Sequence, residues 1–185
     1  MKILMLIDSL NIGGAETHVE TLCIELSKIG HKISLISSGG KIFDRLQKQN
    51  FRCIHIPNIT NEAHSRKNLP LIFRLFAARR IISNEIRNFA PDVVHAHTRR
   101  TAFLSKGICR RQNVPLIVTA HAKFSMNFPK NLLSEWGDFT VSVSCDIKEH
   151  LLAHGVPKSR VKVIENGVNL PSINNKSLRK SESEK

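Results

Sequence analysis

Seven short β-branched, apolar runs alternate with stretches of helical periodicity, and this alternation predicts an α/β fold. The form it points to is a single Rossmann-like, doubly wound parallel sheet. Two further observations support it. Most of the runs are apolar on both faces, as buried parallel strands are. Glycine or proline punctuates the pattern at Gly30, Gly39-Gly40, Pro91, Pro115 and Gly155. The chain has 185 residues, 41% hydrophobic and 23% charged, which suits one globular domain with its own core.

The first strand is read at Ile3–Ile7. Its apolar run stops at Asp8, shorter than the roughly 7–15 residues of a secretory apolar region. No window approaches the ~18 apolar residues of a membrane span. The expectation is therefore a cytoplasmic chain. Val19, Leu22, Cys23, Leu26 and Ile29 then form a helical stripe that Gly30 closes. A strand follows at Ile33–Ser37, a short helix at Lys41–Asn50 and a strand at Cys53–Ile56. The long helix Pro70–Phe89 is halted by Pro91. Strand Val93–Ala96, helix Ala102–Gln112 and strands Leu116–Thr119 and Phe139–Val143 come next. Ser144 caps a helix over Cys145–His154, with Asp146 in its first turn and Gly155 behind it. The last strand is read at Val161–Ile164. From Pro171 the text turns polar, so residues 1–170 are expected to form the domain and 171–185 a disordered tail or linker.

Cys23, Cys53, Cys109 and Cys145 lie far apart in apolar-periodic segments, without a C-x-x-C pair. Buried, reduced thiols are expected, as in a cytosolic protein. The net charge of +13 points to a polyanionic neighbour: nucleic acid, an anionic membrane surface or a phosphorylated small molecule. Aromatics are only 5%, tyrosine is absent and no nucleic-acid module appears, so nucleic acid is not expected as a partner.

Ligands of open parallel sheets bind beyond the carboxyl ends of the strands. After the first strand, Gly13-Gly14 opens a helix before Ala15-Glu16. The pair either makes a tight turn or lets a phosphate reach the backbone N–H groups and the positive helix end. It is not G-x-G-x-x-G, and the second strand ends at Ser37-Ser38 rather than on an acid, so a nicotinamide site is disfavoured. After the fourth strand, His95 and His97 share a face. His97 lies nearer the carboxyl end, while His95 suits a hydrogen-bonded structural role. A metal pair there lacks a clear third ligand. His121 falls just beyond the fifth strand. Neutral imidazole there would donate to a sugar hydroxyl; imidazolium would favour a phosphate.

The helix Pro70–Phe89 interleaves Leu71, Ile72, Leu75, Phe76, Ile82 and Ile86 with arginines, and Arg66 and Lys67 precede it. Glu85 is its one acid. It reads either as an amphipathic helix packed on the sheet or as one that also presents its basic side to anionic lipid.

In this order the motifs resemble the N-terminal half of the retaining GT-B glycosyltransferases of family 4. They are Gly13-Gly14-Ala15-Glu16, Pro91-Asp92-Val93-Val94-His95-Ala96-His97, Pro115 through Thr119-Ala120-His121, Ser142-Val143-Ser144, and Val163-Ile164-Glu165-Asn166-Gly167-Val168-Asn169. The resemblance covers Met1 to about Leu170. It implies an acceptor-side domain facing a nucleotide-sugar donor, UDP- or GDP-linked, across a cleft. Gly13 and Gly14 would approach the donor diphosphate or the transferring sugar. His121 would be the catalytic contact. Glu16, His97 and Ser144 would line the cleft, and Asn166-Gly167 would begin the crossing to a second domain. No metal or other cofactor is implied. The implied partners are a glycan or lipid-linked acceptor, a separate donor-binding domain and the inner membrane face.

The sequence departs from the pattern at Glu165, where proline is common, at Asn169, where aspartate is common, and at Ala122, where glycine often stands. The glutamate pair of the donor-binding half is absent. These features predict a hexosyl-transfer half-site, in a fragment, a truncated reading frame or one chain of a split enzyme, that transfers no sugar alone. The alternative is a non-catalytic module docking on anionic lipid or on a separate donor-domain chain.

Overall fold

A computed structural model describes residues 1–57, 70–123 and 135–167. Its elements run β1 (Lys2–Leu6), α1 (Gly14–Lys28), β2 (Lys32–Ser37), α2 (Lys41–Lys48), β3 (Arg52–His55), α3 (Leu71–Phe89) and β4 (Val93–Ala96). They continue through α4 (Arg99–Gln112), β5 (Leu116–Ala120), β6 (Phe139–Ser142), α5 (Cys145–Ala153), a 3-10 turn (Lys158–Arg160) and β7 (Val161–Val163). The seven strands form one all-parallel sheet in the order β3-β2-β1-β4-β5-β6-β7. This is the doubly wound α/β fold expected, and each of the seven apolar runs is a strand.

The alternation along β1 shows how two cores are built. Leu4 and Leu6 face one side, with Val94, Ala96 and Val118, and are covered by Ala78, Ile82 and Ile86 of α3 and Leu104 and Ile108 of α4. Ile3, Met5 and Ile7 face the other side, with Ile33, Leu35 and Val93, and are covered by Val19 and Cys23 of α1 and Ile42 and Leu46 of α2. Leu4, Met5 and Leu6 are wholly buried. Each such side chain contributes about 1.5–3 kcal/mol. A smaller cluster seats Ile147 and Leu151 of α5 beside Ala120 and Val161.

Helix ends follow their residues. Gly30 takes φ 89° after α1, and Ser144 caps α5 by accepting from Ile147 N–H at 3.2 Å. Helix α4 starts three residues before the expected Ala102. Thr98 caps it, accepting from Thr101 N–H, so Arg99 and Arg100 belong to its first turn. A start read from the apolar stripe misses a first turn that is polar.

Helix α3 divides. Its later turns bury Ala78, Ile82 and Ile86, while Leu71, Ile72, Phe73 and Phe76 are exposed. Glu85 is not on the solvated side: it is buried, taking Ser34 Oγ at 2.7 Å and Arg52 Nε at 2.6 Å. Of the cysteines, Cys23 and Cys109 are buried as expected and Cys53 partly so, but Cys145 is exposed because it opens α5 on the solvent side. All four are free thiols. No helix among the described residues is long and apolar enough to cross a membrane. The expected tail at 171–185 lies outside the described residues, as do Arg66, Lys67, Val168 and Asn169.

Candidate functional site

The chain turns back at β1. Two crossovers lead outward to β2 and then β3, and the third returns from β3 to β4 on the other side of β1, so loops of opposite sense part at the carboxyl ends of β1 and β4. Asp8 follows β1 there and Thr98 follows β4. Thr98 Oγ1 donates to Asp8 Oδ1 at 2.7 Å, tying the two loops together across 90 residues of sequence. Arg100 approaches the same carboxylate at 3.7 Å. Burial raises the Asp8 pKa, against the hydrogen bond from Thr98 and the charge of Arg100.

The register explains which histidines meet. His95 pairs with Ile117, and alternation then puts His95, His97, Thr119 and His121 on the side that α1 covers. His95 Nε2 meets Thr119 Oγ1 at 2.7 Å, the hydrogen-bonded structural role anticipated for it. His97 Nδ1 meets His121 Nε2 at 3.3 Å. His95 and His97 stack with ring centroids 4.1 Å apart. His18 of α1 completes the group, its ring 5.2 Å from His121 and 5.9 Å from His97.

Desolvation dominates the chemistry of these rings. It pulls His95 down to about 3 and His121 to about 4, with neighbouring imidazoles adding to the shift. His97 is held far below its ordinary value for the same reasons, and His18 is lowered by burial alone. At neutral pH these are uncharged imidazoles. They can exchange hydrogen bonds with hydroxyl groups and have little attraction for a phosphate.

The start of α1 lies on the same edge. Gly13 is extended (φ −173°), so no left-handed turn demands glycine there. A Cβ on Gly13 would lie 2.3 Å from Glu16 Oε2, so the Glu16 carboxylate folds back over this helix start. Around Gly14 none of the described residues lies within 4 Å of a Cβ, and a ligand has room to approach its backbone. Ser144 stands at the carboxyl end of β6, two strands from β4, with its hydroxyl engaged as the α5 cap. Asn166 and Gly167 are exposed beyond β7. The carboxyl edge therefore carries Gly13, Gly14 and Glu16 at the start of α1, His97 and His121 after β4 and β5, and Ser144 after β6, the strand paired with β5, while Asn166 and Gly167 follow β7 at the margin of the sheet.

A family model for Glycosyltransferase Family 4 matches residues 12–171. The chain belongs to glycosyltransferase family 4. It is similar in structure to Anabaena HepE solved in complex with UDP-glucose, with a TM-score of 0.71 at 17% identity, covering 99% of this chain and 50% of that one. A glycosyltransferase from Rickettsia africae gives 0.67 at 21% identity, covering 98% and 49%. The UDP-GlcNAc 2-epimerase of Neisseria meningitidis, bound to UDP-GlcNAc, gives 0.62 at 18% identity, covering 90% and 46%. At such identities the likeness is one of fold, here the N-terminal half of the GT-B glycosyltransferases. The chain spans about half the length of each of these structures. No curated protein sequence matches it.

In this family-4 domain, sequence reasoning missed three residues of the edge: Asp8, Thr98 and His18. Asp8 carried a signal, an acid ending an apolar strand at the carboxyl edge. Thr98 was visible as a capping residue. His18 sits four residues before Leu22 and next to Val19, on the flank of the stripe that packs on the sheet. One concavity of about 420 Å³, lined by Lys106, Arg110, Asn113, Gly137 and Arg160, opens elsewhere. It lies at the amino ends of β5 and β6, where Glu135 pairs with Lys106, and it does not touch the histidines. The carboxyl edge is the candidate site because residues of three strands and one helix converge there.

Proposed function

We propose that this chain is the acceptor-binding half of a glycosyltransferase that moves a hexosyl group from a UDP- or GDP-linked sugar to a glycan or lipid-linked acceptor. The observation that carries the reading is the meeting of His97 and His121 beside the open backbone of Gly14 at the point where the sheet reverses. Uncharged imidazoles there suit sugar hydroxyls. His121, on the exposed side of the pair, contacts the transferring sugar, and His97 lines the cleft behind it. Gly13 and Gly14 admit the donor once the Glu16 carboxylate swings off the helix start, since a carboxylate and a diphosphate compete for the same positive end. A donor-binding domain completes the cleft. Without its charges the leaving diphosphate is stabilised on one side only, and that stabilisation is usually the largest catalytic term.

Incubating the purified chain with labelled UDP- and GDP-hexoses and lipid-linked or free glycans tests the reading. The expected result is no transfer by the chain alone, with transfer gained when a donor-binding domain is supplied and lost again in His121→Ala. Transfer by the chain alone refutes the need for a second wall.

A second reading concerns docking on membranes. Phe73, Phe76, Arg80 and Arg87 lie at spacings of three, four and seven along α3, and all four are exposed. This mixture of apolar and cationic side chains suits the inner face of an anionic membrane. Sedimentation with anionic liposomes, weakened by salt and by Phe73→Ser with Phe76→Ser, is the expected outcome. Equal binding to neutral vesicles would contradict it.

A further inference from the structure

The three imidazoles of His18, His97 and His121 each offer one nitrogen, and these atoms all lie within 4.8 Å of one another. The sequence reading found no third ligand because it paired His95 with His97. The fold instead sets His95 aside on Thr119 and brings His18 in from α1. A tetrahedral Zn²⁺ site with Zn–N bonds of about 2.0–2.1 Å places its ligand nitrogens about 3.3 Å apart. His97 Nδ1 and His121 Nε2 already stand 3.3 Å apart. The same geometry sets ligand ring centroids about 5.2 Å apart. Those of the trio are separated by 5.2, 5.6 and 5.9 Å. Closing the remaining distance requires a turn of His18, which is half-buried.

His97 supplies an independent sign. It is 3% exposed, its Nε2 has no partner among the described residues, and its Nδ1 meets the His121 imidazole. The protein satisfies one nitrogen of this buried ring, through the His121 imidazole, and leaves the other to a bound water or ion. Its orientation is fixed from behind by the stacked ring of His95, which is itself held by Thr119.

We propose that His18, His97 and His121 form a three-imidazole binding site for a borderline divalent cation of the Zn²⁺ type, with its fourth position open toward the cleft. Neutral nitrogen ligands without a carboxylate select Zn²⁺, Cu²⁺ or Ni²⁺ over Mg²⁺ and Ca²⁺, which require oxygen. The chain's net charge of +13 opposes every cation, so only direct ligation yields binding. In the proposed cleft the ion would stand before His97 and His121 and compete with a sugar. That consequence rests on the proposed function; the binding itself does not.

Calorimetric titration of the purified chain with Zn²⁺ is expected to show one saturable site in the micromolar range or tighter, and none with Mg²⁺. Co²⁺ in its place should give the visible absorption of a tetrahedral centre. His18→Ala, a substitution that favours the helix, should weaken Zn²⁺ binding by roughly 100-fold, as loss of a ligand must exceed loss of a supporting contact. Its far-ultraviolet circular dichroism should be unchanged. Half-buried His150 and exposed His154 form a second pair at the end of α5 with rings 4.3 Å apart, and His150→Ala with His154→Ala should leave the site intact. The proposal is overturned if the chain shows no saturable Zn²⁺ binding, if folded His18→Ala binds as tightly as the original, or if the α5 double variant abolishes binding. No sugar enters the titration, so its outcome is independent of the glycosyltransferase reading.

Discussion

Lowering the pH from about 7 to about 5 should destabilise this fold through its buried histidines. Burial, reinforced by neighbouring rings, holds His95 at about 3 and His121 at about 4 in the folded chain. Unfolded, both titrate near 6.5. The folded value is the lower, so between the two values the unfolded chain binds protons that the folded chain refuses. The stability contribution is complete above about pH 6.5 and is lost as the pH falls toward the folded values. Each ring sets a slope of about 1.4 kcal/mol per pH unit. Two rings acting over about 1.5 units remove roughly 3–4 kcal/mol, a large part of an ordinary 5–15 kcal/mol. The groups near them are His97 and His18 on α1, both lowered, and Asp8, whose raised pKa works in the opposite sense and offsets part of the loss. Urea unfolding followed by circular dichroism across this range measures the slope at constant m. A midpoint that does not move between pH 7 and pH 5 refutes the reasoning. So does an undiminished slope in His121→Gln, which should lose about 1.4 kcal/mol per unit.

Other perturbations probe the scaffold. Gly137 takes φ 68°, and a Cβ there would stand 2.4 Å from Leu116 O; Gly137→Ala should cost at least about 2 kcal/mol in urea unfolding. Thr98→Val removes the α4 cap and the Asp8 hydrogen bond, and should lower stability by about 1–2 kcal/mol and Tm by several degrees. Burial pushes the thiols of Cys23 and Cys109 up to about 12 and that of Cys53 up to about 11. A thiol reagent at neutral pH should therefore modify one thiol of the native chain rapidly, at Cys145, and the others only on unfolding.

The strands were legible because each is a short apolar run whose two faces are both covered, as along Ile3–Ile7. His97 and His121 were legible too, since period-two alternation and the carboxyl-edge rule need no tertiary knowledge. His18 was not, because the rotation of α1 over the sheet decides whether its ring reaches the edge, and the stripe of Val19 and Leu22 fixes that rotation only loosely. The pairing of Thr98 with Asp8 joins residues 90 apart and depends on β1 and β4 being neighbours. The burial of Glu85 carries no signal in the sequence of a basic helix. It is explained by Ser34 and Arg52, which reach it from two strands of the sheet.

The central claim is that sugars meet this chain at the carboxyl edge of β1, β4 and β5. Backbone amide shifts of the isotope-labelled chain, recorded during titration with soluble oligosaccharides, test it most directly. Saturable changes clustered at Gly13, Gly14, His97, Thr98 and His121 are expected. Changes confined to the concavity of Lys106, Arg110 and Arg160, or spread evenly over the surface, would contradict it.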